Sequence, residues 1–599
     1  MDLNTIIGFA LIGVILVWFS YTRPEPETIK NSADTEAVVD SLNSIVNSQA
    51  EGAQELENSS ELVDSSTYTQ QSIQKFGLFN SALQIEGKEE FFTLENNKLR
   101  LVISSLGGQI IKAEVKNYQT FDSLPIELIK LENSQWSYEM QAERIYSSKG
   151  LFFKGEMAGN KLTLSAPHSS GQSLKIVYSL EDESYALHME VKAAGLGITQ
   201  SGFQWDMDAL RQELNLEAEN QQTGLYFADH EKNKVDNLSL TGQDSELHEN
   251  LRWVAFKQQF FSSVLVAQDK FTKVELASLP LESESSTKRM GVRMRSTDDE
   301  NFAADWYFVP NKYSTLKEYG YNMDELIPMG WGIFGWINRG VVINIFKWLE
   351  SYGMNYGIII LIMAFLIKLV LFPLTYKSYL SMAKMRVLKP EMDELNEKFK
   401  DKEAVKKQQA LMELYRKAGV NPLGGCVPVL LQFPILIALF RFFPSSIELR
   451  QEGFLWANDL STYDSIYNLP FSIPFYGDHV SLFTLLMTLS TLLYTYFNNQ
   501  MTPQNNQFPQ LKYMMYLMPV VFLGVFNNYA SGLSYYYFVA NMLTFGQQFG
   551  IRYFVNDEAI HAKLQENKKN PKKQSKFQKR LEEIAQKQQE SANRKTRRQ

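Results

Sequence analysis

A single lysine lies near the middle of a long apolar stretch, and its side chain has the clearest chemical potential in this sequence. Lys368 is surrounded by the apolar residues of 354–376. A lysine at the centre of a membrane helix costs roughly 2.5 to 3.5 kcal/mol, so its ammonium requires a polar cavity, a partner or a route to the surface. Two interpretations stay open: a functional cavity around the ammonium, or a side chain that extends to the nearer membrane face, about 12 Å away.

Other polar side chains occur at similar depth in the neighbouring apolar stretches. They are Gln432, Asn527, Asn528, Asn541, Thr544, Gln547 and Gln548. Polar groups in hydrocarbon commonly form hydrogen bonds between helices, and that alternative stays open for each of them. Their number favours a water-filled groove.

The elements that must position these residues are apolar stretches long enough to span a membrane. We predict five spans in the C-terminal half, at 354–376, 420–443, 480–496, 514–530 and 533–551. A further apolar run at 3–19 lacks a cleavage pattern, so residues 1–21 are predicted to be an uncleaved signal-anchor and the sixth span. The chain as a whole is therefore predicted to be a polytopic α-helical membrane protein.

Residues 331–350 have an apolar face at helical spacing, from Trp331 to Trp348, but three charged residues interrupt it. Charges this close together disfavour a span. The segment is predicted to be an amphipathic helix lying in the membrane interface.

The distribution of Lys and Arg predicts the orientation of the spans. Residues 377–417 carry eleven Lys and Arg, whereas 444–479 contain Arg450 alone, and the tail 552–599 is again basic. We therefore place the first segment, the tail and both chain termini in the cytoplasm. The polar region before the first of the five spans then lies on the outer side of the membrane.

The N-terminal half contains two compositionally distinct regions. Residues 22–71 are acidic and poor in aromatic residues, as is typical of a flexible linker. Residues 72–325 contain short alternating runs with turn signals such as Gly107-Gly108, and they predict an all-β sandwich domain. A single cysteine, Cys426, excludes an internal disulfide framework, and we expect neither a metal site nor any other cofactor.

The cytoplasmic segment 377–419 predicts a helical hairpin with one apolar seam, which includes Met385, Leu388, Met392 and Leu395. Two interpretations stay open, because the seam could pack on itself or receive apolar segments of another protein. The basic tail predicts an anion-binding arm for membrane lipid or ribosomal RNA, or a cytoplasmic retention signal. DNA is not an expected partner.

Several motifs in the C-terminal half resemble those of the YidC family of membrane protein insertases. They are YLSMAKMRVL at 379–388, NPLGGCVP at 421–428, QFP at 432–434, ELR at 448–450, SGL at 531–533 and YY at 536–537. Residues 94–113 and 253–260 also resemble the periplasmic domain of the Gram-negative form, a β-supersandwich.

The resemblance implies an insertase without enzymatic activity, whose partners are nascent membrane-protein clients and the Sec translocon. It implies a groove open to the cytoplasm and lipid, in which Lys368 occupies the position of an arginine in most members. Ala364 replaces the family's hydroxyl residue one helical turn earlier. The groove residues expected on this basis are Lys368, Gln432, Tyr536, Tyr537 and Asn541.

Two other function classes remain as alternatives. Polar residues between membrane helices also occur in transporters and pores, although the spans show no paired repeat. The β-domain could instead be an anchored enzyme or sugar-binding module. Its histidines show no catalytic spacing, which favours surface roles. They are His168, His188, His230 and His248.

Overall fold

The computed structural model describes residues 79, 89–142, 145–168, 170–295, 300–399, 404–420, 427–501 and 509–569. The predicted signal-anchor 1–21 and acidic linker 22–71 lie outside the described residues. The chain forms two compact units, one of Met1–Met329 with Arg441–Glu452 and the other of Gly330–Phe440 with Gly453–Gln599.

The first unit consists mainly of β-strands. In chain order its elements are β1 (Phe91–Glu95), β2 (Leu99–Ser104), β3 (Ile110–Gln119), β4 (Pro125–Lys130), β5 (Ser134–Gln141), β6 (Ile145–Ser147), β7 (Lys154–Ala158), β8 (Lys161–Pro167), β9 (Ser173–Leu180), β10 (Ala186–Lys192), β11 (Gln200–Leu210), α1 (Leu216–Gln222), β12 (Gly224–Asp229), β13 (Val235–Asn237), β14 (Asp244–Lys257), β15 (Phe261–Pro280), β16 (Ser286–Arg295), β17 (Asn301–Pro310) and α2 (Tyr313–Tyr319).

These strands form two antiparallel sheets. The smaller has the order β1-β2-β3-β4, and the larger has the order β6-β5-β11-β16-β15-β17-β10-β9-β8-β7, with β12, β13 and β14 attached beside β15. Buried and half-buried residues alternate along the whole of β11, as expected of a strand with one face in the core. In that core, the ring of Trp205 stacks on Phe256 with centroids 3.9 Å apart. The predicted all-β sandwich is confirmed.

The segment Arg441–Glu452 packs on this β-domain, although the sequence predicted the end of a span and the start of a loop there. Ile447 joins the apolar core of the domain. The carbonyl oxygen of Pro444 accepts hydrogen bonds from Gln222 Nε2 at 3.1 Å and Gln259 Nε2 at 3.0 Å. Arg450 Nε lies 2.8 Å from Glu213 Oε1, with side chains only 2% and 8% exposed. The first unit therefore includes a buried ion pair that joins distant parts of the chain.

The second unit is mostly helical. In chain order its elements are α3 (Gly332–Ile337), α4 (Ile343–Glu350), α5 (Tyr356–Val387), α6 (Lys389–Lys398), α7 (Ala404–Ala418), α8 (Val427–Phe442), β18 (Tyr467–Ile473), β19 (Gly477–Val480), α9 (Leu482–Met501), α10 (Pro509–Asn527), α11 (Ser531–Phe554) and α12 (Asp557–Lys569).

Each of the five predicted C-terminal spans overlaps one of these helices. Among the described residues, α5 is the helix long and apolar enough to cross a membrane, and Gln432–Ser445 and Met514–Asn527 are shorter apolar helices. The predicted end of the first of these spans, at residue 376, is not a helix end, since α5 continues to Val387. The number of spans stays a prediction.

The segment predicted to lie in the membrane interface is also helical. A π-helical turn joins α3 to α4, so the chain from Gly332 to Glu350 forms one helix. Its buried face includes Phe346, whereas Trp331, Trp336 and Trp348 are exposed. Exposed tryptophans fit a membrane interface.

Candidate functional site

Lys368 is buried among helices of the second unit. It lies in the middle of α5, is only 6% exposed, and its Nζ donates a hydrogen bond to Oε1 of Gln432 in α8, at 3.2 Å. The ammonium therefore lies inside the unit rather than at its surface. In the described part of the chain, no carboxylate pairs with it.

A second amide approaches the same place from α11. Gln547 Nε2 donates a hydrogen bond to the backbone carbonyl oxygen of Lys368, at 3.2 Å. Its own Oε1 is buried and accepts no hydrogen bond from the described residues. Buried acceptors without a partner are uncommon in folded proteins, so this atom indicates a place for water or a polar ligand. Lys368 therefore contacts α8 through its ammonium and α11 through its backbone carbonyl oxygen.

The remainder of α5 near Lys368 is apolar. Ala364, one turn earlier, is fully buried, so it contributes no polar group to the site. The same helix exposes Leu361, Phe365, Leu369 and Val370. Exposed apolar side chains on this scale fit a surface in contact with lipid.

Asn541 forms hydrogen bonds with a neighbouring helix. Its Nδ2 donates to Ser490 Oγ and to Thr491 Oγ1 in α9, both at 2.9 Å. Interhelical bonding, the alternative left open for this residue, is therefore what the structure shows. Sequence reasoning singled out neither hydroxyl partner, although two adjacent hydroxyl residues in an apolar helix are a usable signal.

Tyr536 and Tyr537 lie at the start of α11, away from Lys368. Their rings meet edge to face with centroids 5.6 Å apart, and the buried Tyr537 hydroxyl has no hydrogen-bond partner among the described residues. Eleven residues separate Tyr536 from Gln547, which corresponds to about 16 Å along a helix. The structure brings Lys368, Gln432 and Gln547 together and leaves both tyrosines at a distance.

The apolar seam of the predicted hairpin is buried by its neighbours. Met385, Leu388 and Met392 are buried, and Leu395 is partly buried against the same cluster. The cluster also includes Leu411 of α7, Ile551 of α11 and Leu564 of α12. This arrangement agrees with the self-packing interpretation.

The first part of the basic tail is a helix that docks on this hairpin. Arg386 Nη2 lies 2.8 Å from Asp557 Oδ1, and Lys568 forms an ion pair with Glu391. Residues 570–599, which carry much of the predicted anion-binding arm, lie outside the described residues.

Three of the four candidate histidines meet a nearby polar side chain, whereas the buried Nδ1 of His230 has no hydrogen-bond partner among the described residues. His188 Nδ1 lies 2.9 Å from Asp305 Oδ1, and this hydrogen bond raises the pKa of His188. His248 Nε2 lies 2.8 Å from Glu246 Oε2. Across the described ranges, no cluster of three His, Cys, Asp or Glu side chains could hold a metal ion.

Two protein-family models match the chain. One, described as "60Kd inner membrane protein", matches residues 348–558, and the other, described as "YidC periplasmic domain", matches residues 92–343. The crystal structure titled "Active YidC insertase crystal structure with the first transmembrane domain resolved" matches with 18% identity and a TM-score of 0.31, covering 81% of this chain and 97% of that one.

Curated relatives match nearly the full length of the chain. A membrane protein insertase YidC from Parabacteroides distasonis is 38% identical, covering 99% of this chain and 98% of the relative. A second, from Bacteroides fragilis, is 37% identical and covers 98% of both chains. With this identity over this length, the chain belongs to the YidC family of membrane protein insertases, inner membrane proteins with a periplasmic domain.

Proposed function

We propose that this protein inserts and folds integral membrane proteins through a hydrophilic groove around Lys368 that opens to the cytoplasm. The observation that carries the proposal is the buried ammonium of Lys368, whose described hydrogen-bond partner is the neutral amide of Gln432. A neutral partner leaves the positive charge uncompensated. A carboxylate from another chain can then supply the missing charge.

The groove lowers the desolvation barrier for a client's polar end. Moving a charged or polar segment into hydrocarbon is costly, and the cost falls when polar groups and water are available part of the way across. Lys368 attracts acidic client residues, and the amides of Gln432 and Gln547 offer hydrogen bonds. No covalent step is required.

The client's apolar segment then leaves the groove along lipid-facing surfaces of α8 and α10. Phe433 of α8 is exposed, as are Leu517, Val521 and Val525 of α10. These side chains are suited to a client helix that passes into the lipid, because they offer it no polar partner.

The proposed topology has six spans, with both termini in the cytoplasm and the β-domain in the periplasm. The charge difference between 377–417 and 444–479 supports this orientation. The partners in this arrangement are nascent membrane-protein clients, the Sec translocon and membrane lipids, with the ribosome as a further partner of the basic tail.

Substitutions at Lys368 test the role of its charge. The measurement is insertion of a single-span client with an acidic tail into vesicles that contain the purified protein. We expect Lys368→Arg to retain insertion and Lys368→Ala to lower it about tenfold, the equivalent of ~1.4 kcal/mol. Lys389→Ala, at an exposed site in α6, is the matched control, and a client with a neutral tail should be less affected. Equal insertion by wild type, Lys368→Arg and Lys368→Ala would refute the role.

Cysteine labelling tests whether the groove is wet. Leu371→Cys, about one turn from Lys368 at a partly exposed position, is made in a Cys426→Ser background so that it carries the only thiol. We expect a water-soluble thiol reagent added from the cytoplasmic side to modify it. A site that reacts only after the protein is unfolded would contradict a cytoplasm-open groove.

A further inference from the structure

A two-stranded hairpin in the second unit exposes aromatic side chains that have no protein cover among the described residues. Strands β18 and β19 pair in antiparallel fashion, and Phe475, at the turn between them, is 96% exposed. Tyr467 and Phe471 of β18 are exposed as well. Large apolar side chains in such positions mark a surface that binds something apolar.

The sequence of the hairpin fits lipid better than water. Residues 467–477 contain no Asp, Glu, Lys or Arg. Along β18 the apolar Tyr467, Leu469, Phe471 and Ile473 occur at every second position, and all but Leu469 are exposed, although the pairing with β19 shifts register between Asn468 and Ile473. A short ribbon with an apolar face is marginally stable in water, because nothing removes that face from solvent.

The structure holds the hairpin at the ends of two apolar helices. Asn527, the last residue of α10, donates through Nδ2 to the carbonyl oxygens of Tyr476 at 2.9 Å and His479 at 2.8 Å. Its Oδ1 accepts from the backbone N–H of Ser481, at 3.0 Å, immediately before α9 begins. One asparagine side chain therefore fixes the hairpin to both helices.

The tip of the hairpin lies against the last turn of α10. A Cβ atom added to Gly524 would approach the carbonyl oxygen of Phe475 to 2.7 Å, so a larger residue at 524 would displace the tip. Val521 and Val525, on either side of Gly524 in sequence, are exposed. The aromatic tip therefore lies beside the end of α10 that carries exposed apolar side chains, and α10 is one of the proposed spans.

We propose that hairpin 467–480 inserts its aromatic tip into the outer leaflet of the membrane, where Phe475 and Phe471 contact phospholipid acyl chains near the headgroups. This proposal rests on the membrane topology proposed above. Aromatic side chains are favoured at the boundary between headgroups and hydrocarbon, and the absence of charged residues from 467–477 removes the main cost of entering it for the tip. The hairpin then anchors the outer ends of α9 and α10 in the lipid.

A fluorescent probe at the tip tests this inference on the full-length protein. Phe475→Cys in a Cys426→Ser background is labelled with an environment-sensitive fluorophore in nanodiscs that each hold one protein copy. Leu247→Cys in β14, where the native residue is 67% exposed, is the matched control. We expect a blue-shifted emission and several-fold quenching by lipids spin-labelled near the headgroup at position 475, with neither effect at position 247. Iodide in the buffer should quench the fluorophore at position 247 more strongly than the fluorophore at position 475.

Equal iodide quenching at 475 and 247, without quenching by spin-labelled lipid, would overturn the inference. Protection of position 475 only in discs that hold two copies would also overturn it, because the occupant would then be a second copy of the chain. Phe471→Cys gives an independent second site. Insertion measured on the same samples separates the two proposals: lipid quenching at 475 together with full activity of Lys368→Ala would refute the groove and leave the hairpin in the membrane.

Discussion

Buried charged side chains have different hydrogen-bond and ion-pair partners in the two units of this protein. In the first unit, Arg450 pairs with Glu213 and Arg289 pairs with Asp208. The buried Lys288 of the same unit donates hydrogen bonds to three backbone carbonyl oxygens, those of Asn220, Thr223 and Leu240. In the second unit, Lys368 is equally hidden but donates to a neutral amide. A complementary charge or several acceptors offset much of the cost of burying a charge, and such partners serve the fold. A buried charge that is only partly satisfied destabilises the fold, which makes it a candidate for function.

The largest expected effect comes from breaking the paired charges of the first unit. Arg450→Met leaves the carboxylate of Glu213 buried without its cation, which should lower the free energy of unfolding of the β-domain by about 3 to 5 kcal/mol. Pulse proteolysis of the full-length protein in increasing urea, followed with an antibody against the β-domain, measures this change.

Two controls identify the cause of that loss. The double variant Arg450→Met with Glu213→Leu removes both charges and should recover much of the stability, because no unpaired charge remains. Lys234→Ala breaks an exposed pair with Asp236 and should cost less than about 1 kcal/mol. A loss in the double variant as large as in Arg450→Met would mean that packing, not charge, explains the effect.

One buried carboxyl group in the first unit, unlike that of Glu213, forms no ion pair among the described residues. Glu219 of α1 is fully buried and accepts backbone hydrogen bonds from Gln212 and Glu213. Burial raises its pKa to about 7, while those backbone hydrogen bonds act in the opposite direction. This side chain can remove its own charge by binding a proton.

The raised pKa of Glu219 predicts how stability depends on pH. The folded state holds the proton more tightly than the unfolded state, so the stabilisation is complete at acid pH and is lost as pH rises from about 4.5 to about 7. The loss should amount to about 3 kcal/mol for the β-domain. Pulse proteolysis between pH 5 and pH 8 measures it, and Glu219→Gln should reduce the slope. The raised pKa of His188 gives a slope of the same sign in both proteins, so only their difference reports on Glu219. Identical slopes would contradict the assignment.

Local patterns in the sequence predicted most of the elements and the centre of the candidate site. Alternation with period two identified the β-domain, because one face of strands such as β11 must be apolar. Lys368 and Gln432 stood out because polar groups are costly in apolar helices. Once Gln547 is known to lie beside Lys368, the helical rise between residues 536 and 547 gives the distance of Tyr536 from Lys368. The sequence alone did not predict that Gln547 lies beside Lys368.

Contacts between distant segments were not predicted. Arg450 and Glu213 are 237 residues apart, and no periodicity links them. The same holds for helix α12, whose Leu564 packs on the hairpin although the tail reads as a charged segment. The hairpin of β18 and β19 was missed because it is short and lies between two long apolar stretches. In each case the deciding interaction is tertiary packing, which local pattern does not encode.

The smallest expected effect concerns the buried lysine of the second unit. Lys368→Met replaces the buried ammonium with an apolar side chain of similar length. It should stabilise the helical unit by about 1 to 2 kcal/mol, because the free-energy cost of burying a lysine in the membrane exceeds the stabilisation from the hydrogen bond that is lost. Slower hydrogen exchange in peptides from α5 and α11, in lipid, measures the gain. Gln432→Leu is the matched control, because it keeps the ammonium but removes its described partner, and exchange should become faster. A variant Lys368→Met that is less stable than the wild type would show that the lysine serves the fold, as Arg450 does.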